Sequence, residues 1–442
     1  MGARRAPTIT ATPGTGGGPH PGVALMALPW YLPIADWPDD VLAALPRGIS
    51  RHVVRFAHLG DAVVAVKETS QELALREYHL LRALERKDVP SVEPIAVVSG
   101  RTDEDGNDLP AALVTRHLRF SLPYRAAFSR TLRRPTLIRL MDALALLMVQ
   151  LHLEGFFWGD VSLSNVLFRR DAGAFSAYLV DAETGELHQN QLSRGQREHD
   201  LDVARVNVGG ELLDLLAGGM ADPDVDPAET GDLLVESYRR LWKEVTQDTE
   251  FAPEESWRIE ERIRRLNELG FDVEEYDLIP VADGNRVALR PKVVDPGHHQ
   301  RRLMSLTGLD VQENQARRLL QDIDANRRSR PQPLSEHEAA QLWLVEVFEP
   351  ITGSVPQELR HKLEPAEIMH QILEHRWYLS EAEQREATTD EAVESYFATV
   401  LPQRRDEDAL ILHPTTTMLK AVPAAFASAE ADSAPEQEEP GR

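Results

Sequence analysis

The sequence has no cysteine among its 442 residues. Disulfides, thiolate metal sites and cysteine nucleophiles are therefore excluded, and we expect a protein of the reducing cytoplasm. The sequence also lacks long apolar runs. The longest, residues 143–149, falls well short of the roughly 18–20 residues that a membrane helix needs, so we expect no membrane span. Gly and Pro, not an apolar segment, follow Arg4 and Arg5, so we expect no signal peptide.

Basic side chains are in the minority, because 48 Lys and Arg residues stand against 72 Asp and Glu residues, a net charge of −24. Such a surface repels nucleic acid and anionic membranes, so we expect neither as a partner. Residues 286–330 are the exception, with ten basic and five acidic side chains. This basic segment is either a site for an anionic ligand or protein partner, or a face that is solvated or docked on the acidic remainder.

Five units follow one another along the chain. Residues 1–29 are rich in Gly and Pro and lack hydrophobic periodicity, which predicts disorder, and residues 421–442 predict a disordered acidic tail. Residues 30–118 combine strand patterns with one helix, and residues 119–270 are mostly helical. From 271 to 420 a hairpin and further helices indicate a separate accessory domain. The order predicts an α+β fold with two lobes and a third unit.

Hydrophobic periodicity and turn residues predict the individual elements. Gly60 lies between two β-rich stretches and predicts a hairpin. A helix over 136–153 is apolar around most of its circumference, which predicts burial. In the accessory domain we expect a helix to begin at Asp310, with Glu313 as its capping partner. The other predicted strands are 52–56, 62–67, 92–98, 111–116, 166–168, 177–180, 276–281 and 286–291, and the other helices are 71–84, 200–216, 231–246, 335–348, 365–378 and 389–401.

Five polar residues lie where apolar patterns end or break, and each has an ordinary structural interpretation when it is taken alone. Lys67 ends a strand, and Glu77 lies in the helix that follows, where Glu72 competes for any role. The others are a loop aspartate and asparagine after the buried helix and an aspartate after a strand: Asp160, Asn165 and Asp181.

Together these five residues match the requirements of phosphoryl transfer from ATP. That reaction uses a lysine on a strand to hold the phosphates and a helix glutamate to orient it. It also uses an aspartate to accept the hydroxyl proton, an Asn five residues later for Mg²⁺, and a second aspartate after a strand. Asp160 and Asn165 have that five-residue spacing. Mg²⁺ prefers oxygen ligands, so one Asn and one Asp beside phosphates suffice.

At these motifs the sequence resembles the protein-kinase-like superfamily, and most of all its lipopolysaccharide-kinase branch. It is similar to a bacterial family in which such a domain precedes a C-terminal domain of unknown function. The likeness covers about residues 45–270 for the kinase part and most of the ordered chain for the family. The stretches that carry it are LPRGISRHVVRF from Leu45, VKE from Val66, WGDVSLSNVLF from Trp158, VDAETGEL from Val180, LTGLDVQENQARRLL from Leu306 and ILEHRWYLSE from Ile372.

The resemblance implies a two-lobed kinase-like fold with an α+β accessory domain, and ATP and Mg²⁺ as cofactors. Lys67 would hold the phosphates and Glu77 would orient it, while Asp160 would be the base. Asn165 and Asp181 would hold the metal. One further residue, Gly48, stands where the phosphate-covering loop of kinases belongs.

Several positions depart from the kinase pattern. No Gly-x-Gly-x-x-Gly is present. Trp158 and Gly159 replace the loop His-Arg, so the sequence lacks the arginine that would pair with a phosphorylated activation loop. Ala182 and Glu183 follow Asp181 where Phe-Gly is usual. Glu183 is therefore either a further metal ligand or a solvated turn residue. No Ala-Pro-Glu follows, which favours a small-molecule or lipid-linked acceptor over a peptide.

Two aspartates near the start of a predicted helix, Asp200 and Asp202, are further candidates. In one interpretation, one of them braces the catalytic loop, as a buried helix aspartate does in kinases. In the other, both are the N-cap and first-turn carboxylates of a helix.

Three hypotheses follow for the function. The first is an active Mg²⁺·ATP phosphotransferase with an unidentified acceptor. The second is a pseudokinase, a nucleotide-responsive scaffold whose C-terminal domain binds a partner. The third is a binding protein outside the kinases in which the motif matches are chance. Turnover of the γ-phosphate separates the first from the second, and nucleotide binding separates both from the third.

Overall fold

The computed structural model describes residues 7–11, 24–43, 52–60, 62–129, 132–246, 249–251, 257–268, 271–273, 276–280, 287–291 and 294–408. Gly48 and the predicted tail 421–442 lie outside these residues. The described residues form two lobes and an accessory domain, each with buried apolar side chains.

The N-terminal lobe is a five-stranded antiparallel sheet with one helix. Its strand order is β1-β4-β5-β3-β2. The hairpin predicted around Gly60 is β2 and β3, and Gly60 adopts a φ of 62°, which suits a turn glycine. The elements are β1 Thr8–Ala11, β2 Val54–Leu59, β3 Ala62–Thr69, α1 Gln71–Glu85, β4 Pro94–Ser99 and β5 Ala111–Arg116.

The prediction of disorder over 1–29 is wrong for the described part of that segment. Strand β1 pairs along β4 and extends the sheet. Leu25 and Leu28 are buried in the cluster that covers one face of the sheet. The short apolar runs 8–11 and 24–28 are stabilised by this tertiary packing, which local composition does not reveal.

One arginine fastens this N-terminal segment to the sheet. The Arg101 side chain is fully buried, and its Nη1 lies 2.8 Å from Glu68 Oε1. The same guanidinium donates to the backbone oxygens of Trp30 (3.1 Å) and Leu32 (2.6 Å). Because Glu68 follows Lys67 on β3, the N-terminal segment supports the strand that carries the predicted phosphate-binding lysine.

The C-terminal lobe is built around α3, the predicted buried helix. This helix packs against α5 and β9 and buries twelve of its residues. Among the described residues it is the one helix long and apolar enough to cross a membrane, and 61% of that stretch is buried inside the protein, as in a core helix. The elements are β6 Ser121–Pro123, α2 Tyr124–Ala127, α3 Arg134–Leu153, β7 Phe156–Phe157, β8 Val166–Asp171, β9 Ala174–Leu179, β10 Glu186–Leu187, α4 Arg194–Ala217 and α5 Pro227–Thr246.

The accessory domain combines short strands with a helical bundle. Its predicted hairpin is the antiparallel pair β13 and β14. The bundle helices enclose their own core, with Trp343 and Tyr396 fully buried. The elements are β11 Thr249–Phe251, α6 Trp257–Glu268, β12 Phe271–Val273, β13 Tyr276–Pro280, β14 Val287–Pro291, β15 Val294–Pro296, α7 His298–Thr307, α8 Glu313–Ser329, α9 Glu336–Trp343, α10 Glu349–Gly353, α11 Pro365–Glu383 and α12 Thr389–Ser395.

The helix predicted to begin at Asp310 begins at Glu313 instead, so that prediction is wrong. Gln312 is the N-cap residue, and its backbone N–H donates to Gln315 Oε1 at 3.1 Å. Glu313 does not cap its own helix. Its carboxylate accepts the backbone N–H groups of His299 and Gln300 at the start of α7, so tertiary contacts took precedence over the local capping pattern.

Candidate active site

Lys67 lies at the centre of a cleft between the two lobes. Its Nζ donates to Glu77 Oε2 at 3.0 Å and to Asp181 Oδ2 at 2.9 Å. Antiparallel pairing of β3 with β2 and β5 places Lys67 opposite Val54 and Leu113. The lysine therefore joins α1 of the N-terminal lobe to the segment after β9 of the C-terminal lobe.

Five of the six predicted site residues line one cleft of about 800 Å³, and the sixth, Gly48, lies outside the described residues. Lys67 and Glu77 come from the N-terminal lobe, and Asp160, Asn165 and Asp181 come from two loops of the C-terminal lobe. The short pair β7–β10 holds those two loops together, because β7 precedes the first loop and β10 follows the second. The structure thus brings together residues that the sequence separates by more than 110 positions.

Burial and charge shift the protonation of the Lys67–Glu77 pair. Burial raises the pKa of Glu77 to about 7, and the charge of Asp181 adds to that rise, while Lys67 opposes it. Burial alone would lower the pKa of Lys67, but the charges of Glu77 and Asp181 and the contact with Glu183 outweigh it, so the pKa lies above its ordinary value. The lysine is therefore a cation enclosed by carboxylates.

Asp200 braces the loop that carries Asp160. Its side chain is fully buried and accepts the backbone N–H groups of Trp158 and Gly159, each at 2.8 Å. Asp202 is exposed on the same helix. Helix α4 begins at its N-cap Ser193, so neither aspartate belongs to a first turn, and of the two interpretations the structure supports the bracing one, for Asp200.

Two residues of α4 that the sequence reasoning missed also contact this loop. Asn207 donates from Nδ2 to Asp160 Oδ1 (3.3 Å) and to the backbone oxygen of Val161 (3.0 Å). Glu211 accepts the backbone N–H groups of Leu163 and Ser164. A signal was present, because positions 200, 207 and 211 share one face of a helix.

Glu183 does not point into solvent as a turn residue would. Its Oε2 lies 2.9 Å from Lys67 Nζ and 3.1 Å from His52 Nε2, and its side chain is 21% exposed. Glu77, Asp181 and Glu183 carry carboxylate oxygens close enough together for a shared cation. His52, which precedes β2, is a third residue that the sequence reasoning missed.

Four of the ten basic side chains in the basic segment form ion pairs within the accessory domain. Arg302 lies 2.5 Å from Glu336, Arg327 and Arg328 both contact Asp324, and Arg330 contacts Glu346. This pairing favours the interpretation of a charged face over that of a dedicated anion site.

Comparison with known proteins agrees with this geometry. Residues 57–206 match the Lipopolysaccharide kinase (Kdo/WaaP) family, and residues 240–401 match a Domain of unknown function (DUF4032). No curated protein matches the sequence. One similar solved structure is WaaP in complex with acyl carrier protein, which is 15% identical, with 52% of this chain and 90% of that chain covered and a TM-score of 0.33.

The first family match supports a kinase-like phosphotransferase, and it confirms the predicted kinase-like fold, with its β-rich and helical lobes and its accessory domain. It spans the strand, the helix and the loops that supply five of the six predicted site residues, all except Gly48. The second match covers most of the accessory domain. The chain therefore carries a region that matches the lipopolysaccharide kinase (Kdo/WaaP) family at residues 57–206, followed by a region that matches DUF4032 at residues 240–401.

Proposed function

We propose that the protein transfers the γ-phosphate of Mg²⁺·ATP to a hydroxyl group of a small-molecule or lipid-linked acceptor. The observation that carries this proposal is the hydrogen bonding of Lys67 Nζ to both Glu77 and Asp181 in the cleft that also contains Asp160 and Asn165. A catalytic site that has lost its function would not need to keep all five groups together.

The donor groups of the cleft fit a magnesium–nucleotide complex. Lys67 would contact the phosphates. Asn165 donates a hydrogen bond from Nδ2 to the backbone oxygen of Asp160 at 3.0 Å. The Asn165 amide oxygen and the Asp181 carboxylate are then the hard oxygen ligands for the metal. When bound, Mg²⁺ neutralises phosphate charge during transfer.

Asp160 would accept the proton of the acceptor hydroxyl. Asp200 fixes the backbone of the two preceding residues, and Asn207 donates to the Asp160 carboxylate, so the base is preorganised by residues that do not react. A positioned base of this kind contributes roughly 10²–10⁴-fold to the rate.

The acceptor side of the cleft favours a small or lipid-linked molecule. Only residues 182–192 lie between Asp181 and the N-cap of α4, which is too short for a peptide-docking activation segment. The adjoining face of α4 is open beside Asp160, with Val206 70% exposed.

The test is a turnover assay on the full chain with Mg²⁺ and ATP labelled in the γ-phosphate, with water and glycerol as acceptors. We expect labelled product from the wild type and a turnover about 10²–10⁴-fold lower in Asp160→Asn. Asp202→Asn, which removes an exposed carboxylate from α4, should turn over at the wild-type rate. Equal turnover in Asp160→Asn would contradict the assignment of the base. Nucleotide binding without turnover would favour the pseudokinase. The structural observation that favours this second hypothesis is the contact of Glu183 with Lys67.

A further inference from the structure

Three carboxylates surround the Lys67 ammonium group, one more than nucleotide binding requires. The oxygens of Glu77, Asp181 and Glu183 lie 3.0, 2.9 and 2.9 Å from Nζ. An ammonium group has three N–H donors. With three anionic oxygens around it, the lysine has no position left for a phosphate oxygen, so one carboxylate must leave before a phosphate can bind.

Glu183 is the least strongly fixed of the three carboxylates. The Glu77 side chain is 1% exposed, and its second oxygen accepts the backbone N–H of Ala182. The second oxygen of Asp181 accepts the backbone N–H of Glu183 at 3.0 Å. The Glu183 carboxylate, in contrast, reaches Lys67 and His52 through the single atom Oε2, at 2.9 and 3.1 Å, and its side chain is 21% exposed.

His52 extends this contact to the edge of the N-terminal lobe. Its Nε2 approaches the same Glu183 oxygen that faces Lys67. His52 lies two residues before β2, at the lobe edge that borders the cleft. Glu183 therefore connects the segment after Asp181 with both β3 and the residue before β2, across the space in which phosphates would lie.

We propose that Glu183 occupies the phosphate position on Lys67, that His52 holds it there, and that its displacement sets the affinity for nucleotide. This inference rests on the proposed function. Since nucleotide binds only to molecules in which Glu183 has left Lys67, the apparent Kd rises by the inverse of that fraction. If Glu183 were instead a necessary metal ligand, its removal would weaken the binding of nucleotide.

The experiment measures binding of Mg²⁺·ATP and of adenosine to the full chain by calorimetry, for the wild type and Glu183→Gln. The matched control is Glu186→Gln, three residues along the same segment, whose side chain is 60% exposed. We expect Glu183→Gln to bind Mg²⁺·ATP about 5- to 150-fold more tightly, within the usual range of coupling between sites. Adenosine, which has no phosphate, should bind equally to all three proteins, and Glu186→Gln should match the wild type.

Every other outcome either supports or overturns the displacement of Glu183 by phosphate. Weaker or unchanged Mg²⁺·ATP binding in Glu183→Gln would overturn the displacement model, and so would an equal gain for adenosine, because that would indicate a generally loosened cleft. His52→Ala should shift affinity in the same direction by a smaller factor; weaker binding there would assign His52 to the phosphates instead. If neither the wild type nor Glu183→Gln binds Mg²⁺·ATP, the proposed function fails, whereas binding by the variant alone would support the displacement.

Discussion

The chemistry of this cleft depends on residues that hold other residues. Lys67, Asp160 and Asp181 have the side chains that would meet nucleotide and acceptor, but Glu77, Asp200 and Asn207 fix their positions. Sequence reasoning predicted five residues that the structure brings together in this cleft, because phosphoryl transfer prescribes their types and order. It missed Asn207 although positions 200, 207 and 211 share one helix face, because that spacing does not say which loop the face contacts. It missed His52 because an imidazole that reaches a carboxylate through tertiary contact leaves no trace in local spacing.

At the residue scale, the first prediction concerns Asn207. Replacing it with leucine removes the amide that donates to Asp160 Oδ1 and to the backbone oxygen of Val161. We expect turnover of Mg²⁺·ATP to fall about tenfold or more, because a hydrogen bond to a charged group contributes roughly 1.5–3 kcal/mol.

The measurement is single-turnover release of the γ-phosphate beside calorimetric Kd values for Mg²⁺·ATP. The Kd should stay within a factor of two of the wild type, since the Asn207 amide donates to Asp160 and Val161, which are not among the predicted nucleotide-binding residues. Asn207→Gln should recover part of the rate, because it keeps the amide. A large loss of nucleotide affinity in Asn207→Leu would show a structural role and not a positioning one.

At the element scale, the two lobes could be predicted from their patterns. The hairpin around Gly60, the buried helix α3 and the pair β13–β14 follow from alternation, all-round apolarity and turn residues, and the structure has them. The failures have one physical cause. Strand β1 and the start of α8 are fixed by partners distant in the sequence, and the local pattern at Asp310 pointed to a different cap.

The second prediction concerns the loop after Asp181, which depends on a glycine. A Cβ at position 185 would lie 2.2 Å from Cζ of the fully buried Phe156, so the loop or the ring would have to move. We expect Gly185→Ala to lower the unfolding midpoint and to abolish most of the stabilisation by Mg²⁺·ATP, because Asp181 moves with the loop.

Gly195→Ala is the matched control, because a Cβ there meets nothing closer than 4.0 Å. Differential scanning fluorimetry with and without Mg²⁺·ATP compares the two variants. A Gly185→Ala protein with the full nucleotide response would contradict the role given to this loop.

At the scale of the whole molecule, the accessory domain is attached directly to the C-terminal lobe. The β8–β9 hairpin begins just after Asn165 and ends just before Asp181, and its tip enters the accessory domain. There Asp171 is buried and accepts the backbone N–H of Gln315 at 2.8 Å. Arg170 on the same strand lies 2.6 Å from Glu407. One hairpin thus connects the two predicted metal ligands to the DUF4032 domain.

The third prediction tests this attachment. Asp171→Ala leaves the donors of Asn314, Gln315 and Ser176 without their acceptor. We expect a loss of about 2–4 kcal/mol in the free energy of unfolding, because buried donors are left unsatisfied. Calorimetry of the full chain should then resolve two transitions where the wild type shows one. Asp202→Ala, on the surface of α4, should unfold like the wild type; two transitions already in the wild type would contradict a shared interface.

The most direct test of the central claim is thermal unfolding of the full chain with Mg²⁺·ATP, with ATP and a chelator, and with Mg²⁺ alone. At about 100 times its Kd, a ligand adds about 2.7 kcal/mol to the stability of the native state. We predict a rise in the unfolding midpoint that requires both Mg²⁺ and ATP, that disappears in Asp181→Asn and that persists in Asp202→Asn. No rise for the wild type at millimolar nucleotide, or an equal rise in Asp181→Asn, would contradict a nucleotide site built on Lys67 and Asp181.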